Sequence, residues 1–414
     1  MLRCAKFLPP SLALVVAASV IANPVVAQNI PKRPQIDPGA DTNSAQAYYS
    51  FGMRIAQNDP RHAADAFYWA AQLNPTWAQP LYARRIALLL GADDPFITSY
   101  LEGDRGVHRS KRGAFIDSLE LRARMLDPFL VRDLDEELLR RYILAVFQMS
   151  QRGADRVNGS AASEFSFYLD SYWKTEAPPY MRAVLAASER RFPEALRYYR
   201  DALSQNKQEA AEIHLARGQI FFLLGNNDSA RVEMQLGLDT LRGRDTRDFV
   251  YLYESKGVLE HSIGLIDERQ GLLDQAREAY ARALQEDLSY YPAHLHLSVL
   301  AMTDGDSTTA LNEMDLAAQI RDDDPWVQTA YASLLAQLGH IDEADQHLKR
   351  VVALAPFYAA PYYALGRVAE MAKKPADAAQ HYHAFLAHAA AQDARVADAR
   401  GRLTTLEASV PPHQ

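Results

Sequence analysis

Apolar residues recur along the C-terminal half of the chain at a constant interval of 34 positions. Each unit carries three of them, spaced by four and then three residues, so that they share one face of a helix. The four successive sets are Ala276, Tyr280 and Ala283; Ala310, Met314 and Ala317; Ala344, Leu348 and Val351; and Ala378, Tyr382 and Phe385. The pattern predicts one amphipathic helix per unit, repeated without an insertion.

A second helix in each unit is indicated by small residues that lie twelve positions before each set. These residues are Gly264, Ser298, Ala332 and Gly366. Two antiparallel helices approach closely where one carries a small side chain and the other inserts a large one. Gly271 and Gly339 mark the turn between the two helices. The acidic residues that follow, Asp274 and Asp342, are expected to cap the second helix.

Each unit resembles the tetratricopeptide repeat, which has an aromatic residue before a Leu-Gly pair in its first helix and an alanine before an aromatic residue in its second. Tyr362, Leu365 and Gly366, followed by Ala378 and Tyr382, carry this pattern. Further copies occur at Tyr48, Phe51, Gly52, Ala64 and Tyr68, at Gly218, Phe221, Ala230 and Met234, and in degenerate form at Ala195, Tyr199 and Ala202.

The resemblance implies an all-α fold, an α-solenoid of antiparallel helix pairs wound into a right-handed superhelix. It also implies that small residues hold the paired helices together. The residues expected in this packing role are Gly52, Ala64, Gly218, Ala230, Gly264, Ala276, Ala310, Ala332, Ala344, Gly366 and Ala378.

Outside the regular units, the chain divides into segments of different character. Residues 92–175 leave the 34-residue register but keep helical periodicity, which predicts a divergent helical module. Residues 28–43 contain three prolines among few apolar residues, which is typical of a flexible linker. The predicted order is a signal peptide at 1–27, the linker at 28–43, N-terminal repeat-like helices at 44–91, the divergent module at 92–175, repeat-like helices at 176–243, the regular array at 244–399 and a frayed tail at 400–414.

The N-terminus has the features of an export signal. Arg3 and Lys6 precede an apolar run from Leu12 to Ala22, and small residues lead to a cleavage site after Ala27. The alternative is an uncleaved membrane anchor, but the run has eleven residues, whereas a membrane helix needs about 20. We therefore expect export to the periplasm or secretion, and the alanine-rich signal without disulfides suggests a bacterium.

Composition and motifs disfavour several classes of function. The formal net charge of −8 argues against non-specific nucleic-acid binding. The single cysteine, Cys4, lies in the signal, so the mature chain has no cysteine nucleophile or cysteine metal ligand. No glycine-rich phosphate loop, Gly-x-Ser-x-Gly elbow or His-Glu-x-x-His helix occurs. Two histidine pairs are spaced by two residues, which points their rings to opposite sides of a helix. We expect no catalysis, no cofactor and no metal.

One concentrated cluster of positive charge lies in a glycine-containing segment of the divergent module. Its members are Arg105, His108, Arg109, Lys111 and Arg112. They could anchor an acidic partner or an anionic lipid surface. A solvated loop without a specific role is the favoured interpretation.

The resemblance implies that a protein or peptide partner binds the concave face, which the first helices line. Projecting the register onto this face gives polar side chains with a few aromatic anchors, a mixture suited to reversible protein contacts. The candidate groove consists of Glu212, Gln219, Phe222, His261, Glu268, Arg269, Trp326, Thr329, Ser333, Gln337, Tyr363, Arg367 and Glu370. Its two arginines are far apart in sequence, which argues against a clamp for a C-terminal carboxylate.

The leading hypothesis is an exported scaffold or adaptor that mediates protein–protein interactions in the cell envelope. One alternative is a ligand-binding or catalytic module within residues 92–175, where the carboxylates include Glu120, Asp127, Asp133 and Asp135. A deep pocket with converging carboxylates would favour this alternative, and a continuous helical stack would count against it. A second alternative is a structural envelope component that self-associates.

Overall fold

Residues 30–151, 176–205, 210–242 and 256–409 are described by the structure, a computed structural model. They form twenty α-helices and no strand, all within one compact unit, Arg33–Gln414. In chain order the helices are α1 Ala45–Ile55, α2 Pro60–Leu73, α3 Ala78–Leu90, α4 Asp94–Leu101, α5 Arg105–Arg109, α6 Lys111–Leu126, α7 Asp135–Gln151, α8 Pro179–Ser188, α9 Phe192–Gln205, α10 Ala210–Leu223, α11 Asn227–Arg242, α12 Lys256–Arg269, α13 Leu273–Glu286, α14 Tyr291–Thr303, α15 Ser307–Ile320, α16 Pro325–Gln337, α17 Ile341–Leu354, α18 Ala360–Met371, α19 Pro375–His388 and α20 Arg395–Ser409.

Consecutive helices pack as pairs along most of the chain. The pairs are α1 with α2, α8 with α9, α10 with α11, α12 with α13, α14 with α15, α16 with α17, and α18 with α19, and α20 packs on α19. From α9 to α18, each second helix also contacts the first helix of the next pair. Because each pair buries its apolar faces against its neighbours, the array is an α-solenoid, and the predicted all-α fold is confirmed.

The two helices of a pair approach most closely at the small residue of the first helix. A Cβ added to Gly264 would lie 2.4 Å from the ring of Tyr280. A Cβ added to Gly366 would lie 2.6 Å from the ring of Tyr382. Both rings are fully buried, so the site has room for glycine only. All of the residues that were predicted to have a packing role are buried.

The first pair differs from the sequence pattern by one position. A Cβ added to Gly52 would lie 2.6 Å from Phe67, so Gly52 faces Phe67 and not Tyr68. Ala63 and Phe67 are fully buried, whereas Tyr68 is partly exposed. The alanine that occupies the repeat position is therefore Ala63, and Ala64 is buried beside it. Because Ala63 and Ala64 are adjacent, and so are Phe67 and Tyr68, the sequence pattern alone fits either position.

The turns between paired helices contain glycines in the left-handed region. Gly271 and Gly339 have φ angles of 75° and 92°, which residues with a Cβ rarely adopt. The expectation that Asp274 and Asp342 cap the second helices is wrong, because the N-cap residues lie two positions earlier. The two carboxylates sit instead in the first helical turn, where the positive end of the helix dipole stabilises them.

The described part of the divergent module keeps its helices but changes their partners. α6 packs on α3, across the intervening α4 and α5, and α7 packs on α4. The stretch between α6 and α7, which contains Asp127 and Pro128, is non-helical. Buried side chains of α3, α4, α6 and α7 belong to one core. Residues 152–175 lie outside the described residues.

Residues 33–43 are not the free linker that the sequence suggested, because they dock on the first helix pair. Ile36 is 9% exposed and packs with Tyr48 and Trp69. The Arg33 guanidinium lies over the same two rings, 5.2 Å from the centroid of Tyr48 and 5.1 Å from that of Trp69. The contacts that hold the segment include one buried apolar residue and a cation–π contact, and neither produces a periodic pattern.

The first helix pair and the segment before it also contact the C-terminal end of the array. The rings of Trp69 and Phe357 lie 4.9 Å apart in an edge-to-face arrangement. The Asp41 carboxylate accepts a hydrogen bond from the backbone N–H of Ala391 at 2.8 Å. These contacts join parts of the chain that are about 300 residues apart in sequence, so spacing rules cannot reveal them.

The predicted tail begins inside a helix. Residue 400 belongs to α20, and Leu403 is buried against the core of α18 and α19. The helix continues to Ser409, which corrects the expectation of a frayed tail for residues 400–409. The predicted signal peptide, residues 1–27, lies outside the described residues, as do residues 410–414.

Candidate protein-interaction surface

The residues of the candidate groove fall into three groups by exposure. The exposed group is Arg269, Ser333, Gln337 and Arg367. The partly buried group is Glu212, Phe222, Glu268, Trp326, Tyr363 and Glu370. The buried group is Gln219, His261 and Thr329. Only the first group is exposed, so the projected register overestimates the open surface.

His261 lies on α12 and is buried beside α14. It is 2% exposed, and its Nδ1 lies 3.2 Å from the hydroxyl of Tyr290. The centroid of its ring lies 5.3 Å from that of His296. Burial, and then the charge of His296, lowers the pKa of His261 well below its usual value. His261 is therefore neutral in the folded protein near neutral pH.

Three partly buried candidates are used in contacts between neighbouring helices. Glu268 accepts a hydrogen bond from the hydroxyl of Tyr280 at 2.6 Å. Glu370 accepts one from Arg402 at 2.8 Å. Tyr363 likewise donates its hydroxyl proton to a carboxylate of α20. These side chains hold the array together and have less capacity left for a partner.

The exposed candidates belong to two repeat positions that stay open in successive first helices. One position is occupied by Val299, Ser333 and Arg367, and the other, four residues later, by Arg269, Thr303, Gln337 and Met371. Residues four apart share a helix face, and equal positions of stacked units are neighbours. These seven residues therefore form one surface across α12, α14, α16 and α18, here called the interaction stripe.

The interaction stripe includes two apolar residues that the sequence analysis did not select. Val299 is 52% exposed and Met371 is 47% exposed. Apolar residues at repeat positions resemble core residues in a sequence, so their exposure is visible only in the structure. The available signal was their register, since they share positions with Ser333 and Gln337.

The N-terminal groove candidates, Glu212, Gln219 and Phe222, lie together on α10. They do not face open solvent, because residues 128–132 of the same chain lie against them. This contact between segments far apart in sequence was not predicted.

A small cavity lies beside this contact, lined in part by Arg132, Asp135, Tyr180 and Glu212. Burial raises the pKa of Asp135 well above its usual value, and the charge of Glu212 adds to the effect. The cavity has a volume of about 50 Å³, which holds a few water molecules. Ligand sites usually measure about 300 Å³ or more, so two carboxyl groups converge here without room for a substrate.

Glu120, another carboxylate of the divergent module, is part of a buried ion-pair network. It is 4% exposed and lies 2.8 Å from Arg85 and 3.0 Å from Arg124. Partnered buried charges of this kind stabilise one arrangement of the core once the desolvation cost has been met. The network joins α3 to α6, which gives this carboxylate a structural role.

Packing buries one member of the basic cluster in the divergent module and places another over an aromatic ring. His108 is 8% exposed and pairs with Asp117 at 2.9 Å. The Arg112 guanidinium lies 4.1 Å from the ring centroid of Phe96. Arg105, Arg109 and Lys111 are exposed. The exposed charge is thus smaller than the sequence suggests.

Other kinds of site can be tested across the described ranges. Within them, no three or more metal-ligating side chains converge. None of the helices in these ranges is both long and apolar enough to cross a bilayer. The structure does bring together His261 and His296, which lie one repeat plus one residue apart. Spacing within a single helix could not have indicated that pair.

Comparison with known proteins identifies the repeats. Family models described as tetratricopeptide repeat match residues 180–239 and 262–325 and residues 327–358. No curated protein matches the sequence. The matched residues coincide with the helix pairs from α8 to α17.

Several solved structures are similar at low identity. The C-terminal part of a repeat-containing protein from Cytophaga hutchinsonii is 15% identical over 56% of this chain and 96% of that chain, with a TM-score of 0.43. PilF of Pseudomonas aeruginosa is 15% identical over 56% and 96%, with a TM-score of 0.41. Yeast Tom70 is 13% identical over 88% of each chain, with a TM-score of 0.41. From the family-model matches and the paired helices, this chain is a tetratricopeptide-repeat protein.

Proposed function

We propose that this protein is an exported, non-catalytic scaffold or adaptor that holds a protein partner on the interaction stripe. The observation that supports this proposal most directly is that one repeat position remains exposed across α12, α14, α16 and α18, and a second across α14, α16 and α18, although the helices around them are closely packed. A surface that repeats with the fold offers a partner regularly spaced contacts along its length.

The chemistry of the interaction stripe suits reversible binding. Val299 and Met371 supply apolar area, and fully burying such a side chain contributes about 1.5–3 kcal/mol. Because both are already about half buried, each would contribute less than that. Arg269 and Arg367 add charged contacts that are worth little at an exposed rim but help to orient a partner. Affinity would therefore come from several modest contacts.

Photo-crosslinking in cells tests the proposed surface. A photoreactive residue replaces Gln337, on the interaction stripe, and in a matched variant it replaces Gln346, which is exposed on the second helix of the same pair. We expect a crosslinked partner at Gln337 and none at Gln346. Equal crosslinking at both positions would refute the assignment of the stripe. A product made of two copies of this chain would favour the self-associating alternative.

A second matched pair tests the apolar contribution to binding. Val299→Asp introduces a charge on the interaction stripe, and Val232→Asp introduces one on α11, where the valine is similarly exposed at 58%. We expect Val299→Asp to weaken binding to the captured partner by about tenfold or more, and Val232→Asp to leave it unchanged. Loss of binding in both variants would indicate a general effect of charge.

Export is supported by the basic, apolar and small-residue regions at the N-terminus. N-terminal sequencing of the protein recovered from cell fractions tests it. We expect the mature chain to begin at Gln28 and to be found outside the cytoplasm. A cytoplasmic chain that retains Met1 or begins at Leu2 would refute export and would leave the interaction stripe to be judged by crosslinking.

A further inference from the structure

A side chain of α10 binds the main chain of the non-helical stretch between α6 and α7. The side-chain amide of Gln219 donates a hydrogen bond to the backbone carbonyl of Pro128 at 2.7 Å. Gln219 is 8% exposed, so this contact is shielded from water. A side-chain donor that binds a main-chain carbonyl recognises a segment largely without regard to the residue that carries the carbonyl.

Phe129 is the buried anchor of this stretch. Its side chain is 4% exposed, and its ring stacks on Phe222 with centroids 3.6 Å apart and planes 13° apart. The Arg269 guanidinium lies 4.6 Å from the centroid of Phe222. Phe129 shares a core cluster with Leu215 and Ile263, so it enters the space between α10 and α12. A single aromatic side chain in an apolar pocket is the usual dominant contact of a bound segment.

Acidic side chains surround Arg132, at the C-terminal end of the stretch. The Arg132 guanidinium lies 3.8 Å from Glu212, 3.6 Å from Glu120 and 3.4 Å from Asp135. These separations are longer than those of tight charge-assisted hydrogen bonds, which are about 2.7–2.9 Å. The acidic surroundings therefore attract an arginine three residues after the aromatic anchor without locking it into one tight geometry.

The docked stretch is incompletely matched to its site. The cavity of about 50 Å³ remains beside Leu130 and Arg132. Burial raises the pKa of Asp127 and raises that of Asp135 well above its usual value, which indicates carboxyl groups that lose hydration in this position. A segment with the same anchors, but without a carboxyl group before the proline, would avoid part of this cost.

We propose that α10 and the C-terminal half of α12 form a recognition site for non-helical segments with the order proline, aromatic, aliphatic, any residue, arginine. Residues 128–132 occupy this site as an intramolecular ligand, and a partner segment of the same chemistry replaces them. Self-occupancy lowers the apparent affinity for such a partner, because only the vacated fraction of the protein can bind. The proposal does not depend on binding at the interaction stripe.

A fluorescent peptide with the sequence of residues 126–134 tests the proposal, by anisotropy against the full mature chain. We expect it to bind the Phe129→Ala chain at least about tenfold more tightly than the wild type, because the self-occupant has lost its anchor. Adding Phe222→Ala should abolish this binding. A control peptide with alanine in place of Phe129 should not bind. Equal binding to wild type and Phe129→Ala, or equal binding of both peptides, would overturn the proposal.

If circular dichroism indicates that Phe129→Ala does not fold, the wild-type chain provides the decisive measurement. Excess peptide should accelerate hydrogen exchange of the amides in residues 127–134, and the alanine control peptide should leave them unchanged. Unchanged exchange with both peptides would overturn displacement. Because photo-crosslinking at Gln337 reports on α16, failure at α10 and failure at the interaction stripe are distinguishable.

Discussion

Replacement of Gly264 by alanine tests the close packing on which each helix pair depends. The added methyl carbon would lie 2.4 Å from a ring carbon of Tyr280, whereas non-bonded carbons prefer about 3.5–4.0 Å. Tyr280 has little freedom to move aside, because its ring is fully buried and its hydroxyl donates to Glu268. Either α12 and α13 must separate or the ring must leave its rotamer.

Two opposing terms set the magnitude of this effect. Overpacking by one methyl group costs about 1–3 kcal/mol, and the upper end applies where the neighbour cannot yield. Alanine is favoured over glycine inside a helix by about 1 kcal/mol. We therefore expect Gly264→Ala to lower the free energy of unfolding by about 2 kcal/mol. At Gly401 in α20, an added Cβ meets nothing within 4 Å, so the same change should stabilise by up to about 1 kcal/mol.

Urea denaturation followed by circular dichroism compares the two glycine variants. Repeat arrays can unfold in more than one step, so hydrogen exchange of amides in α12 and α13 provides the local reading. In a Tyr280→Leu background most of the Gly264→Ala penalty should disappear, because leucine lacks the ring edge, and a double-mutant cycle measures this coupling. Equal stability of Gly264→Ala and Gly401→Ala would refute the packing argument.

Two buried polar groups of the array provide further tests by urea denaturation. His261 has its pKa lowered well below the unfolded value by burial and by His296. The unfolded chain therefore binds a proton at this histidine more readily than the folded chain does. As the pH decreases below about 6.5, the free energy of unfolding should decrease by up to about 1.4 kcal/mol per pH unit. His261→Gln should lose this part of the pH dependence, and parallel profiles would contradict the argument. Asp324 accepts from the backbone N–H of Trp326 at the start of α16, so Asp324→Ala should cost about 1–2 kcal/mol. The exposed Asp322→Ala should change stability by less than about 0.5 kcal/mol, and equal losses in the two variants would contradict the capping role.

The sequence was sufficient for the packing within each pair. Gly264 and Tyr280 are sixteen residues apart, and the short turn at Gly271 leaves few ways for the two helices to meet. Helical periodicity then determines which side chains face each other. The same reasoning was off by one position in the first pair, because Ala63 and Ala64 both satisfy the pattern.

The surface of the array was harder to predict than its core, because exposure depends on how successive pairs stack. The register placed His261 and Ser333 on the same face, yet His261 is buried and Ser333 is exposed. Tyr290 and His296 close over His261. Positions on the same face of the first helices therefore share a direction but not a neighbourhood, and a prediction from the register alone selects both.

The contact of residues 128–132 with α10 is the feature that sequence spacing is least able to predict. Pro128 and Gln219 are separated by 91 residues, and their contact requires α6 to end where α10 lies open. The same segment places Leu130 in the core of α3, α6 and α7, while its neighbour Phe129 enters the cluster of α10 and α12. Adjacent residues thus belong to two cores, so this stretch joins the divergent module to the repeats. A partner segment that displaced Phe129 would also weaken the packing of Leu130. Binding at α10 would then change the packing around α7.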